Sequence, residues 1–381
     1  MSMRWLVFGH YGGHNTGDDA MLTGLLHGAR RAGHRISCVV AKGVRPLPLV
    51  VGSGAMSVSA RLLPVLRALW RVDGLVLGGG THFHDEYYGM RYWRHLRYML
   101  RIASLSWIAR VAGRRVVWLG MGVGPLSRAS SRLVTRFGLA ACHAIGLRDS
   151  ASFREVRSLG SSSKATVTFD LAALMSPHPS EIGVPPEQRT PCLGICATRV
   201  DWMRKDEDWN GAFWSRVSDS VRAVLQQRRT LRVAVFVIRG GEREADCSIS
   251  RLIYDRLREV AEDRVVLVPY HDEPSEALAA LQRCTAVVAA RFHGALLAYL
   301  AGCALVLVAY HRKVRDLAAE LGLTAEGVIS GSEEIDVNVM SARVNQALDR
   351  SPGFLPTLSI GEALRRAEGN LALLAMKPRR Q

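Results

Sequence analysis

No apolar run in this chain approaches the roughly twenty residues that cross a bilayer; stretches such as residues 305–309 fall far short. Residues 1–9 lack the basic start, long apolar run and cleavage site of a secretory leader, so they are expected to form a first strand. Cysteine is sparse: the seven residues are scattered and odd in number, and Cys192 and Cys196 have no companions at zinc-site spacing. A reducing cytoplasm is the expected location, with the inner face of the membrane as an extension of it. Acid is scarce as well, 34 Asp and Glu against 50 Lys and Arg, giving a net charge of +16 and a pI near 10.1. The excess is mostly arginine spread along the chain, without the Lys/Arg block or aromatic-basic interleaving of a nucleic-acid groove, so no nucleic acid is expected as a partner. It does favour phosphorylated substrates and leaves room for peripheral contact with an anionic membrane.

What is present describes a globular enzyme of two cores. A hydrophobic content of 48% with 22% charged residues excludes a disordered chain. A length of 381 residues is too great for one ordinary α/β core. Short apolar runs alternate with helical patterns throughout, which predicts parallel sheets covered by helices. Residues 176–191 hold five prolines and no apolar period, and mark the boundary. The expected division is an N-terminal Rossmann-like domain at 1–178, a second at 190–345, and a segment at 346–381. Within that last segment a helix at 360–374, of the kind that crosses back onto the first domain, is expected ahead of a basic tail.

Chemistry gathers at the ends of predicted strands. Residues 4–9 run into a loop with glycines 12, 13 and 17, followed by a helix at 21–32 that Asp18 or Asp19 could cap. The loop does not satisfy G-x-G-x-x-G. A strand at 75–77 ends in Gly78-Gly79-Gly80, then His82, His84, Asp85 and Glu86. The zinc pattern T-H-x-H-x-D-H is broken here, because Glu86 stands at its Asp and Tyr87 at its last His, so no metal is expected. A sugar-binding loop suits these residues better, with Asp85 and Glu86 meeting hydroxyls. Residues 91–111 form an amphipathic helix rich in Arg, Tyr and Trp, mainly a solvated face but with a weaker membrane-surface reading. A strand at 144–146 ends in Arg148-Asp149, and one at 193–197 ends in Thr198-Arg199.

The densest concentration lies in residues 286–323. An apolar strand at 286–290 turns through Arg291 and His293 into a helix at 294–300, and a second strand at 305–309 ends in Tyr310, His311, Arg312 and Lys313. Taken singly, Arg291 reads as a surface charge, His293 as a cap and Lys313 as a solvated helix start. On one carboxyl edge, beside a helix amino terminus, they form a cationic cradle for an anion.

The pattern Arg291-Phe292-His293 followed by Tyr310-x-x-Lys313 resembles the C-terminal signature of the polysaccharide pyruvyl transferase family. Gly12, Asn15, Gly17 and Asp18 match its Gly-x-x-Asn-x-Gly-Asp loop, Gly78-Gly79-Gly80 its triple glycine, and Arg148-Asp149 its strand ending in Arg-Asp. The chain departs from the family pattern at Phe292 and at Leu171-Ala172. The resemblance implies two doubly wound Rossmann-like domains facing a cleft, a GT-B-like α/β fold, and transfer of pyruvate from phosphoenolpyruvate to sugar hydroxyls as a ketal. It implies Arg148, Arg199, Arg291 and Lys313 as phosphoenolpyruvate ligands, and Asn15 and Asp18 on the side of a glycan or lipid-linked saccharide acceptor.

Ketal formation needs a proton delivered to the methylene carbon, and histidine is the residue suited to that near neutral pH. His293 is therefore the expected acid/base. No cofactor is expected besides the donor substrate. Two other readings remain: a GT-B-type glycosyltransferase using a nucleotide sugar, and a non-enzymatic basic protein binding nucleic acid or anionic membrane.

Overall fold

The structure is a computed structural model, and it describes residues 3–41, 50, 52–86, 89–175, 189–200, 208–241 and 245–375. Most of the proline-rich boundary at 176–191 and the basic tail at 377–381 lie outside the described residues. The chain divides into two compact units. The first comprises Met1–Gly13, Asp18–Ser176 and Glu362–Gln381; the second comprises His14–Gly17 and Pro177–Gly361.

The first unit is built on a seven-stranded parallel sheet: β1 (Arg4–Phe8), β2 (Arg35–Ala41), β3 (Met56–Ser59), β4 (Gly74–Phe83), β5 (Arg115–Val123), β6 (Ala144–Leu147) and β7 (Ala165–Val167). Their order is β3-β2-β1-β4-β5-β6-β7. Helices cover the sheet: α1 (Thr16–Arg31), α2 (Leu62–Leu69), α3 (Gly89–Val111), α4 (Ala129–Ala141) and α5 (Ser150–Ser158). Strands buried on both faces read as continuous apolar runs, and all nine residues of β5 are buried. Trp118 of that strand stacks on Phe83 of β4 at 4.6 Å, both fully buried.

The second unit repeats the plan with β8 (Cys192–Cys196), β9 (Arg232–Phe236), β10 (Val265–Val268), β11 (Ala286–Ala289), β12 (Ala304–Ala309) and β13 (Val328–Ser330). The order is β10-β9-β8-β11-β12-β13, again all parallel. Its helices are α6 (Asp208–Gln227), α7 (Ala245–Ala261), α8 (Pro274–Leu281), α9 (Phe292–Leu300), α10 (Arg312–Leu321) and α11 (Val337–Leu348). A last helix, α12 (Ile360–Ala375), has its residues from Glu362 in the first unit. In α10 the buried positions Val314, Leu317, Ala318 and Leu321 follow one helical face, and Gly322, at φ 66°, supplies the left-handed residue that ends it.

Two elements differ from the sequence reading. The Gly78-Gly79-Gly80 stretch is not a loop after a short strand: β4 runs through it to Phe83. The glycines are needed because a Cβ on Gly78 would lie 2.7 Å from the Tyr11 hydroxyl and one on Gly79 would lie 2.5 Å from the Met21 sulfur. The family resemblance also implies a strand over 167–172 ending in Asp170, but β7 ends at Val167 and Leu171–Met175 form a 3-10 turn.

Candidate functional site

In the second unit four neighbouring strands, β9, β8, β11 and β12, deliver their following residues to one carboxyl edge. The turn after β11 carries Arg291, which stands at the N-cap of α9 with no side-chain cap bond, so the first-turn N–H groups receive no side-chain acceptor from it. Such a helix terminus favours an anion. His293 sits in that first turn and is 9% exposed, its ring edge-on to Phe292 at 5.0 Å. Gly294 lets the turn settle onto the end of β8, because a Cβ there would come within 2.6 Å of the Cys196 Cβ.

Arg291 is not a surface charge. Its Nε donates to Asp246 Oδ2 at 2.9 Å and a terminal nitrogen donates to Asp246 Oδ1, a forked ion pair whose carboxylate is almost wholly buried. Thr198, at the end of β8, donates its hydroxyl to the same carboxylate at 2.7 Å. Asp246 opens α7 and was not singled out by the sequence; it joins the ends of β8 and β11 to a third element. Arg199, the next residue along from Thr198, is exposed. After β12, His311 caps α10, its Nδ1 accepting from the Lys313 N–H at 3.2 Å, and Lys313 is half-buried.

The early segment His14–Gly17 completes this unit. Asn15 bridges Arg239 in antiparallel fashion, Thr16 N donates to Ile238 O at 3.1 Å, and Gly240 N donates to His14 O at 2.9 Å. The Asn15 side chain accepts from Gly17 N at 3.2 Å, and the His14 ring meets Tyr270 edge-on at 5.8 Å. This stitching brings Gly17 against the catalytic candidate: a Cβ on Gly17 would overlap the His293 imidazole. The glycine of the first loop is thus a condition for the position of the histidine.

The first unit presents its own carboxyl edge. Arg148, after β6, is 6% exposed, and its Nε donates to Asp149 Oδ2 at 2.9 Å. Asp149 in turn caps α5 by accepting from Ser152 N at 2.7 Å. A Cβ on Gly122 would lie 2.8 Å from the Arg148 guanidinium carbon, so β5 leaves room for it. Asp18 is half-buried in the first turn of α1, and its charge adds to burial in raising the hydroxyl pKa values of Tyr11 and Tyr98. Asp19 binds Gly12 N at 2.9 Å rather than capping the helix, which begins five residues ahead of the expected Met21.

Asp85 has both carboxylate oxygens occupied, accepting from Ser127 Oγ at 3.0 Å and Arg128 N at 2.6 Å. It thereby holds the entry to α4. Glu86 lies 3.7 Å from His84 Nδ1. Beside them runs a chain that the sequence did not reveal. His82 Nε2 lies 2.8 Å from Gly79 O, its Nδ1 lies 2.7 Å from the Tyr98 hydroxyl, and that hydroxyl lies 2.8 Å from His10 Nε2. A carbonyl can only accept, so neutral His82 carries its proton on Nε2, and the Tyr98 hydroxyl must donate to Nδ1. His10 then donates through Nε2. The sequence marks His82 only as part of the broken zinc pattern, and His10 lies two residues past the end of β1. Each unit also has an open depression of about 500 Å³ away from these edges, at Arg189 and Arg350 in one case and at His34 and Leu371 in the other, and neither includes a motif residue.

With this geometry in place, comparison with known families gives one match, to polysaccharide pyruvyl transferase, over residues 15–312. The chain belongs to the polysaccharide pyruvyl transferase family. The matched range of this pyruvyl transferase family member holds Asn15, Asp18, Arg148, Arg199, Arg291 and His293 and stops one residue before Lys313. No curated protein matches the chain.

Among solved structures, this family member is similar to Anabaena HepE in complex with UDP-glucose, at 14% identity and TM-score 0.56, over 98% of this chain and 96% of the other. It is similar to UDP-GlcNAc 2-epimerase from Methanocaldococcus jannaschii at 7% identity and TM-score 0.61, over 98% and 99%. A glycosyltransferase from Rickettsia africae follows the same plan at 8% identity and TM-score 0.53, over 98% and 96%. At these identities the likeness is one of fold. The family member is an α/β protein of two parallel sheets flanked by helices, of GT-B type.

Proposed function

We propose that this protein moves the pyruvyl part of phosphoenolpyruvate onto two hydroxyls of a glycan or lipid-linked saccharide. The observation that carries the reading is the placement of His293 in the first turn of α9, held by the Arg291–Asp246 fork and the close approach of Gly17. The helix terminus, with Arg199 and Lys313 on the same carboxyl edge, supplies positive charge for a ligand carrying both a carboxylate and a phosphate. Arg291 fixes the turn, and Arg148 of the first unit is a further donor ligand in this reading. Asn15, Asp18, Asp85 and Glu86 line the acceptor side, Asn15 and Asp85 by shaping loops whose backbone they already bind.

His293 gives a proton to the methylene carbon of the donor, and positive charge develops at C2. One sugar hydroxyl attacks C2 and the C2–O bond to phosphate breaks. A second hydroxyl attacks to close the ketal. Of the two hydroxyl protons released, one replaces that given to carbon and the other leaves with phosphate, so the reaction balances without a redox partner.

The test uses the full chain with phosphoenolpyruvate and a saccharide extract, following phosphate release and pyruvate ketal by mass spectrometry. The His293→Ala variant is expected to lose at least about a hundredfold in rate while keeping its melting temperature. Activity near that of the unaltered chain in this variant would overturn the assignment. A second reading, glycosyl transfer from a nucleotide sugar, is favoured by the UDP-glucose in the Anabaena neighbour. A ligand-induced rise in melting temperature with phosphoenolpyruvate or with UDP-glucose separates the two.

A further inference from the structure

From Gly89 to Arg148 the chain runs sixty residues with eleven arginines and not one Asp, Glu or Lys. Much of that length is α3 and α4, which lie side by side: the Trp107 ring stacks on Phe137 at 5.6 Å, and its Nε1 donates to Phe137 O at 2.8 Å. α2 packs on the same core cluster as α3, and its two flanks are tied by Arg101 of α3, which donates to Ala60 O at 2.6 Å, and by Arg114, past the end of α3, which donates to Trp70 O at 3.2 Å. The three helices make one layer on the first sheet.

Their outer faces are not simply polar. On α3 the exposed positions Met90, Trp93, Leu100 and Ile108 fall on one helical stripe, with Arg91, Arg94, Arg97 and Arg101 interleaved, all exposed. Met90 is 83% exposed and Trp93 58%. Leu133 and Phe137 continue the apolar surface on α4. Large apolar side chains singly exposed need no explanation, but a stripe of them set among arginines does.

We infer that the outer layer formed by α2, α3 and α4 docks on an anionic phospholipid bilayer. The apolar side chains enter the acyl boundary, and the arginines meet lipid phosphates through their forked donors. Charge complementarity selects this occupant: an acidic protein surface would satisfy the arginines but not the protruding Trp and Met, and a nucleic acid would leave the apolar stripe unburied. Helix α3 begins three residues after Glu86, at the carboxyl edge of the first sheet. Docking would therefore set that edge beside the lipid headgroups. This last step rests on the proposed acceptor class, whereas docking itself requires neither donor nor acceptor.

The experiment is co-sedimentation of the full chain with vesicles of phosphatidylcholine, with and without added phosphatidylglycerol, at low and high salt. Binding is expected only to the phosphatidylglycerol vesicles, weakening with salt. Replacing Arg91, Arg94 and Arg97 together by Gln should lower the partition by about a hundredfold. Removing the same charge from the second unit, with Arg229, Arg251 and Arg283→Gln, should leave it unchanged. A Trp93→Ser, Leu100→Ser variant should lose the part of the binding that survives high salt. Melting temperatures confirm that each variant is folded. Equal loss in both arginine triples, no vesicle binding by the unaltered chain, or vesicle-indifferent self-association through this face would each overturn the inference; so would binding to DNA in preference to vesicles. Because no donor is present, failure of the pyruvyl transfer reading leaves these outcomes unaffected.

Discussion

A methyl group on Gly17 would enter the volume of the His293 ring. The φ of Gly17 is not in the left-handed region, so the backbone itself would accept alanine and the objection is purely one of space. A rigid, buried neighbourhood cannot absorb such an overlap, and either the loop or the imidazole must shift. Gly17→Ala is therefore expected to cost about 1–3 kcal/mol of stability, and about a hundredfold in turnover through misplacement of the acid/base. The decisive measurement is a double-mutant cycle by thermal or urea unfolding. With His293→Ala in the background the ring is gone and the stability cost of Gly17→Ala should largely vanish; strictly additive costs would show that the two residues do not press on each other. The same scale explains why the site was partly readable. Arg291 and His293 announce themselves by following an apolar strand, whereas Asp246 is 45 residues from the arginine it grips, and nothing local in α7 marks it. His10, His82 and Tyr98 likewise become a chain only when β1, β4 and α3 are brought together.

Among elements, the first unit contains three imidazoles held below their ordinary pKa. Burial is the leading cause for His34 and His95, and for His143 too, where Arg110 and Arg115 add to it. His143 Nδ1 accepts from Val116 N at 3.0 Å, a bond between the start of β5 and the end of α4 that requires the unprotonated nitrogen. A group whose folded pKa is depressed binds fewer protons in the folded state than in the unfolded one. Its stabilising contribution is thus fully present above the unfolded value near 6.5 and is lost as pH falls through the lower folded value. Melting temperature should fall as pH is lowered from 7.5 toward 5, and His143→Asn, which keeps an acceptor near the Nδ1 position but cannot titrate, should flatten the profile. A profile already flat in the unaltered chain would contradict the assignment. The strands that were read from the sequence were legible where burial on both faces makes them unbroken apolar runs, as at β11 and β12. Helix α11 was not. It buries Ser341, which donates to Ser220 O at 3.0 Å, among Met340, Val344 and Leu348, so its inner face reads as half polar.

At the scale of the whole molecule the chain leaves the first unit after Ser176, builds the second, and returns at Glu362. At the centre of what receives it is one buried amide. Asn370 of α12 is fully buried; its Oδ1 accepts from Gly120 N at 2.8 Å and from Thr168 Oγ at 3.0 Å, and its Nδ2 donates to Phe169 O at 3.0 Å. Arg115 of β5 and Arg366 of α12 add bonds to Leu373 O and Thr168 O. The helix therefore finishes the hydrogen bonding of β5 and of the segment after β7, which the sheet alone leaves incomplete. Leucine at 370 would fill a similar volume and strand the Gly120 N–H and the Phe169 carbonyl away from water, at about 1–3 kcal/mol for each buried group left unpaired. For a unit of this size the two together correspond to a fall in melting temperature of roughly 4–24 °C. Differential scanning calorimetry of Asn370→Leu reads the outcome, and the loss should fall on the transition of the first unit, while proteolytic protection of the second unit stays as it was. An unchanged calorimetric trace would mean that α12 rests on the sheet by apolar contact alone, and that the return of the chain is not what completes the first unit.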